Sequence, residues 1–190
     1  VVEFIDGQTR VYRDKDLPVP VLTNNSYSNA LKYLKLHKGF GGDMIPTNGP
    51  ESPVRFVRAA QLVKEFSCCN KSSADTFAFS ILGDVSQQDT QWRIVYDPLN
   101  FRIRVKFREK AGTYILDMKK SDFDRDTPFQ IVDLGGYLPA SDLKRCMKPY
   151  SAEANTRLIS RIFNRLVGLE EMDPATAFHL KAIFTKYHAQ

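Results

Sequence analysis

Residues 91–107 read QWRIVYDPLNFRIRVKF. Two runs rich in aromatic and β-branched residues, Trp92–Tyr96 and Arg102–Phe107, flank the turn formers Asp97, Pro98, Leu99 and Asn100. So short a link joins strands only as an antiparallel hairpin, because a parallel pair needs a crossover of a dozen residues or more. Antiparallel sheet is therefore part of any fold this chain adopts. In the second run, apolar and basic residues alternate, as they do in a strand with one wet face. That reading accounts for the basic run FRIRVKFREK (101–110) before any phosphate-binding role is invoked.

The same patterning places the other elements. VVEFIDGQTRVYR reads as a second hairpin, Val1–Ile5 and Thr9–Tyr12 around an Asp6-Gly7 turn. The prolines of LPVPVLTN (17–24) suit an edge strand or the first residues of one. TYILDM (113–118) and FQIVDL (129–134) supply further strands. SNALKYLKL (28–36) predicts a short helix capped by Ser28 or Asn29. RFVRAAQLVKEF (55–66) is amphipathic, with Phe56, Ala59, Ala60, Leu62, Val63 and Phe66 near one stripe. SADTFAFSILGDV (73–85) is helix-like. SAEANTRLISRIFNRLVGL (151–169) is helical by period, and Asp173-Pro174 opens a last helix. Residues 37–54, HKGFGGDMIPTNGPESPV, form a long loop, either a surface excursion or a wall beside a pocket. Strands, helices, strands and helices in that order predict an α+β fold, with helices covering largely antiparallel sheet. A length of 190 residues suits one domain, 1–190, or a fragment of one.

Composition removes several classes of function. The net charge of +5 comes from 27 basic and 22 acidic residues, interspersed, so no nucleic-acid tail is present. No apolar run approaches the length of a membrane span. His37, His179 and His188 lack ligand spacing and no CxxC or HExxH occurs, so no metal is expected. Neither a P-loop nor a dinucleotide fingerprint is present, and no cofactor is expected. Cys68, Cys69 and Cys146 are an odd set without an adjacent histidine. They read as small buried hydrophobes or inert thiols, not as a disulfide scaffold. The chain opens directly in strand-like sequence without Met, as an interior piece of a longer polypeptide or the product of a cut would. Nothing separates a cytoplasmic from a periplasmic location.

Two features invite chemistry. Asn24 and Asn25 follow an apolar run, and they serve either as a turn or as an amide donor for an oxyanion. Arg55 and Arg58 fall in the predicted first turn of the 55–66 helix, where a cation opposes the macrodipole. Solvent or a carboxylate must offset that cost.

Taken in order, VVEFIDG, VLTN, SNALKYL, GFGGDMIP, RFVRAA, FAFSILGDV, QWRIVYD and MKKSDFD resemble the choloylglycine hydrolase family, which includes bile salt hydrolases and penicillin V acylases. The resemblance runs from residue 1 to about residue 167 and rests on collinearity, not on any one motif. It implies an N-terminal-nucleophile hydrolase of the αββα sandwich type, two antiparallel sheets between helices. It further implies hydrolysis of a linear amide in an N-acyl substrate, of the bile salt, penicillin V or acyl-homoserine lactone type. In that family an N-terminal Cys attacks the amide and its own α-amino group is the base. This chain resembles the C-terminal part, so the Cys, with its neighbouring Arg and Asp, is expected on a segment or subunit outside it; Cys68, Cys69 and Cys146 do not match it.

Two residues carry over: Asn24 as an oxyanion-holding amide, and Arg55 as the active-site arginine, expected across the pocket from Asn24. The family usually has Pro where this chain has Ser26. Phe40, Met44 and Ile45 of the long loop are expected to contact the acyl group. Homo-oligomerisation is also implied. The alternative is a non-catalytic α+β subunit or binding module.

Overall fold

A computed structural model describes residues 1–66, 73–121, 123–124, 126–134, 136–139, 141–168 and 172–187. They fall into two compact units, Val1–Lys119 and Lys120–Gln190. The fold is α+β, and among the described residues every pair of strands is antiparallel.

The first unit begins with the expected hairpin, β1 (Val2–Ile5) and β2 (Gln8–Val11), in the register Ile5↔Gln8. Asp6 (φ 52°) and Gly7 (φ 72°) form the link. Positive φ at both residues matches the right-handed twist of the strands, and Asp-Gly tolerates it.

Residues 17–24 are not a strand. Pro18 and Pro20 remove two donors from one edge, and Val21 N–H turns back to Val19 O at 2.9 Å. Val19 finds its partner in a side chain: Tyr27 Oη donates to Val19 O (2.7 Å) and accepts from Val19 N (3.4 Å). The phenol, fully buried, takes the place of a neighbouring strand.

The first helix, α1 (Tyr27–Leu34), starts before the predicted caps, so Ser28 and Asn29 lie inside it. Ser26 makes no side-chain capping bond. A remote carboxylate caps it, with Tyr27 N–H donating to Glu3 Oε1 at 2.7 Å. The second helix, α2 (Ser52–Glu65), begins a turn earlier than its apolar stripe suggests, with Pro53 in its first turn. Tyr27, Ala30 and Leu34 of α1 pack with Phe56, Val57, Ala59 and Ala60 of α2, and Val19 and Val21 complete the core. Full burial of Phe56 contributes about 1.5–3 kcal/mol.

Helix α3 (Ala74–Asp84) precedes a three-stranded sheet of β3 (Trp92–Asp97), β4 (Arg102–Phe107) and β5 (Tyr114–Asp117), in that spatial order. The 92–107 hairpin forms as expected, in the register Trp92↔Phe107 to Asp97↔Arg102. Its basic face is wet only at Arg102, because α3 lies over Arg104 and Lys106. Arg104 reaches Asp75 of α3 at 3.2 Å and Asp97 at 3.4 Å, and is only 15% exposed. Lys106 Nζ sits 4.6 Å from the Phe79 ring centroid. The long stems of these cations cover apolar helix surface.

The second unit holds a short pair, β6 (Gln130–Ile131) with β7 (Lys148–Pro149), so the predicted 129–134 strand shrinks to two residues. Helices α4 (Ala152–Gly168) and α5 (Pro174–Tyr187) pack together, burying Phe163 and Ala177. Ser151 Oγ accepts from Ala154 N (3.2 Å) and Asp173 Oδ1 from Thr176 N (2.9 Å), so both starts read in the sequence are capped. No helix among the described residues is long and apolar enough to cross a membrane.

Candidate functional site

The turn after Leu22 meets the start of α2. Thr23 Oγ1 donates to Ser52 O (3.1 Å), and Ser52 Oγ donates to Thr23 Oγ1 (2.9 Å). These bonds hold two segments 29 residues apart in register. Beside them, Arg55 Nε donates to Pro50 O at 2.9 Å and Arg55 Nη2 to Asn24 Oδ1 at 3.2 Å. Arg55 is thus in contact with Asn24, not across a pocket from it. It also lies in the first turn of α2 as expected, whereas Arg58 lies in the second.

The contact settles which way the Asn24 amide faces. A guanidinium can only donate, so it must meet Oδ1. Both Nδ2 hydrogens then point away from Arg55, and Asn24 is exposed. A carbonyl polarised by a cation makes its own N–H groups better donors. The pair therefore offers a donor with its orientation already set, the property an oxyanion requires. Asn25 bonds locally instead: its Oδ1 accepts from Ser26 N at 2.9 Å.

The two arginines offset the helix dipole differently. Arg55 uses neutral carbonyl oxygens. Arg58 uses a carboxylate: its Nη2 lies 2.8 Å from Asp84 Oδ2, and it also donates to Asp84 O.

The loop after α1 is tied down rather than free. His37 is buried; its Nδ1–H donates to Tyr33 O at 3.0 Å, and its ring packs 4.8 Å from that of Tyr33. Met44 N donates to Leu36 O (3.0 Å) and Lys38 N to Met44 O (2.8 Å). Gly42 is required, since a Cβ there would lie 2.2 Å from Leu36 O. Phe40 turns inward and lines a cavity between α1 and α2. Met44 and Ile45 are exposed, at 47% and 76%. The structure therefore does not bring the three expected acyl contacts together on one wall.

Cys146 is half-buried, with Sγ 3.8 Å from Asp142 O, and His179 is exposed. Cys68, Cys69 and His188 lie outside the described residues. Among the described residues no group of three or more His, Cys, Asp or Glu side chains could hold a metal ion. Glu3, Tyr27 and His37 organise this region, yet nothing in the sequence marks any of the three as site-shaping. Glu3 Oε2 is itself buried and has no hydrogen-bond partner among the described residues.

No family model matches the sequence, and no curated protein does. Among solved structures the chain is similar to penicillin V acylase from Agrobacterium tumefaciens, at 22% identity and a TM-score of 0.62. The alignment covers 79% of this chain and 52% of that one, so the chain spans about half the length of the acylase. The two share a fold over that part.

Proposed function

We propose that Asn24 and Arg55 form the oxyanion-holding part of a linear-amide hydrolase whose Cys nucleophile lies on a segment or subunit outside this chain. The observation that supports it is the 3.2 Å bond from Arg55 to Asn24 Oδ1, which presents the Asn24 N–H groups outward. The tetrahedral intermediate of amide hydrolysis carries its new charge on the former carbonyl oxygen. A donor held in place beforehand stabilises that charge without reorganising. The guanidinium adds a positive field that favours both the oxyanion and a neighbouring thiolate.

The likeness to the acylase supports the same reading through the fold, and an N-acyl compound of the penicillin V, bile salt or acyl-homoserine lactone type is the substrate class. Met44 and Ile45, exposed on the loop that precedes α2, are proposed as acyl contacts; Phe40, which faces the cavity between α1 and α2, would reach the acyl group only from a separate wall. The test is penicillin V hydrolysis by the full-length protein, with the nucleophile-bearing segment present, against its Asn24→Ala variant. A loss of about 10²–10³ in kcat supports the assignment. Full-length protein inactive on all three substrate types would make the chain a non-catalytic α+β subunit or binding module.

A further inference from the structure

The cavity that Phe40 lines has a volume of about 410 Å³, within the range of small-molecule sites. Val19, Leu31, Leu34, Phe40, Ala60 and Val63 form its walls, and among the described residues the only polar side chains on it are two lysines, Lys35 and Lys64. Lys64 is occupied: Nζ donates to Gly39 O at 2.8 Å and sits 5.1 Å from the Phe40 ring centroid. Lys35 is exposed at the rim, and no hydrogen bond or ion pair engages its ammonium among the described residues. A second cavity, of about 510 Å³, shares Pro18, Leu31 and Lys35 with the first. It adds Lys15 and Lys32 against one carboxylate, Asp16.

We propose that the first cavity binds a free medium-chain carboxylate, with its tail among the apolar walls and its head on Lys35. The walls offer no side-chain acceptor and no neutral donor, so a ligand gains there only through apolar contact and negative charge. Lysines outnumber carboxylates around both cavities, which biases the mouth toward anions. Four segments (18–20, α1, the loop carrying Lys35 and Phe40, and α2) line the space, which has the concave form of a site for one chain and not of a flat face laid on a bilayer. Lys35 and its cavity share no residue with Asn24 and Arg55; Phe40 alone belongs both to this cavity and to the acyl contacts of the amide-hydrolase reading.

Calorimetric titration of the full-length protein with sodium decanoate tests it. One-to-one saturable binding is expected, weakened about three- to tenfold by Lys35→Glu and kept by Lys35→Arg, as befits one partly exposed ion pair. Asn24→Ala should bind decanoate like the parent, which separates failure here from failure at the amide site. Methyl resonances of Leu31, Leu34 and Val63 should shift on saturation, a readout independent of the lysine variants. The proposal is overturned by absence of saturable binding, by equal affinity for decyltrimethylammonium, by a Lys35→Glu variant that binds unchanged, or by uptake seen only with anionic phospholipid vesicles.

Discussion

Arg55 Nη2 donates to Asn24 Oδ1 at 3.2 Å across a separation of 31 residues. The bond makes Asn24 a one-sided group, acceptor inward and donor outward.

That asymmetry predicts different outcomes for two small substitutions. Asn24→Asp keeps the oxygen for Arg55 and replaces the outward donor by an acceptor. If the amide-hydrolase reading holds, kcat should fall at least as far as in Asn24→Ala, about 10²–10³, while KM changes little. Steady-state kinetics on the full-length protein provide the check. A variant with normal kcat would return Asn24 to turn formation.

Tyr27→Phe removes the one group that satisfies both polar atoms of Val19. Val19 O keeps the bond from Val21 N, but the buried Val19 N–H loses its acceptor, which should cost about 1–3 kcal/mol. Thermal unfolding followed by circular dichroism would show a lower Tm for the variant. An unchanged Tm would mean that Val19 finds other partners at no cost.

Glu3→Ala should destabilise through α1, since it removes the acceptor for Tyr27 N–H. Helix caps are worth about 0.5–2 kcal/mol. Amide exchange at Tyr27 measures it locally: protection should fall there and hold in the sheet of β3–β5.

Acid should weaken the packing of α3 on the sheet. The Asp75 carboxyl is held below its ordinary value of 3.8 by a hydrogen bond from Ser73 and by the charge of Arg104. That of Asp97 is held down by the Asn100 side chain and backbone, with Arg104 adding to it. Both folded values lie below the unfolded ones. Their stabilisation is therefore complete above the ordinary value and is lost as pH falls through the lowered ones. The gap in Tm between the parent and an Asp75→Asn/Asp97→Asn double variant should narrow as pH drops below 3.8. A gap that persists or widens would show that the two carboxylates contribute nothing through their charge.

What was legible in the sequence was local. The 92–107 hairpin and the Asp6-Gly7 turn carry their instructions in adjacent residues, as do the capped starts of α4 and α5. What was illegible depended on partners far along the chain. LPVPVLTN reads as strand, but Val19 at its centre bonds to a phenol in the next helix instead of a neighbouring strand. Alternation in β4 correctly implied two faces, yet gave no hint that α3, some 30 residues earlier, would cover the charged one. Nor did any spacing join Asn24 to Arg55. Local context drew attention to each and the resemblance gave each a role, and only the folded chain shows that they touch.

The two clamps around the long loop have one more consequence. Thr23 and Ser52 fasten its far side, while Lys64 and the Leu36–Met44 bonds fasten its near side. Residues 45–49, between those anchors, can therefore change in length and character without dragging Asn24 or Arg55 with them. Diversity of ligand preference can accumulate in that stretch while the pair stays in place.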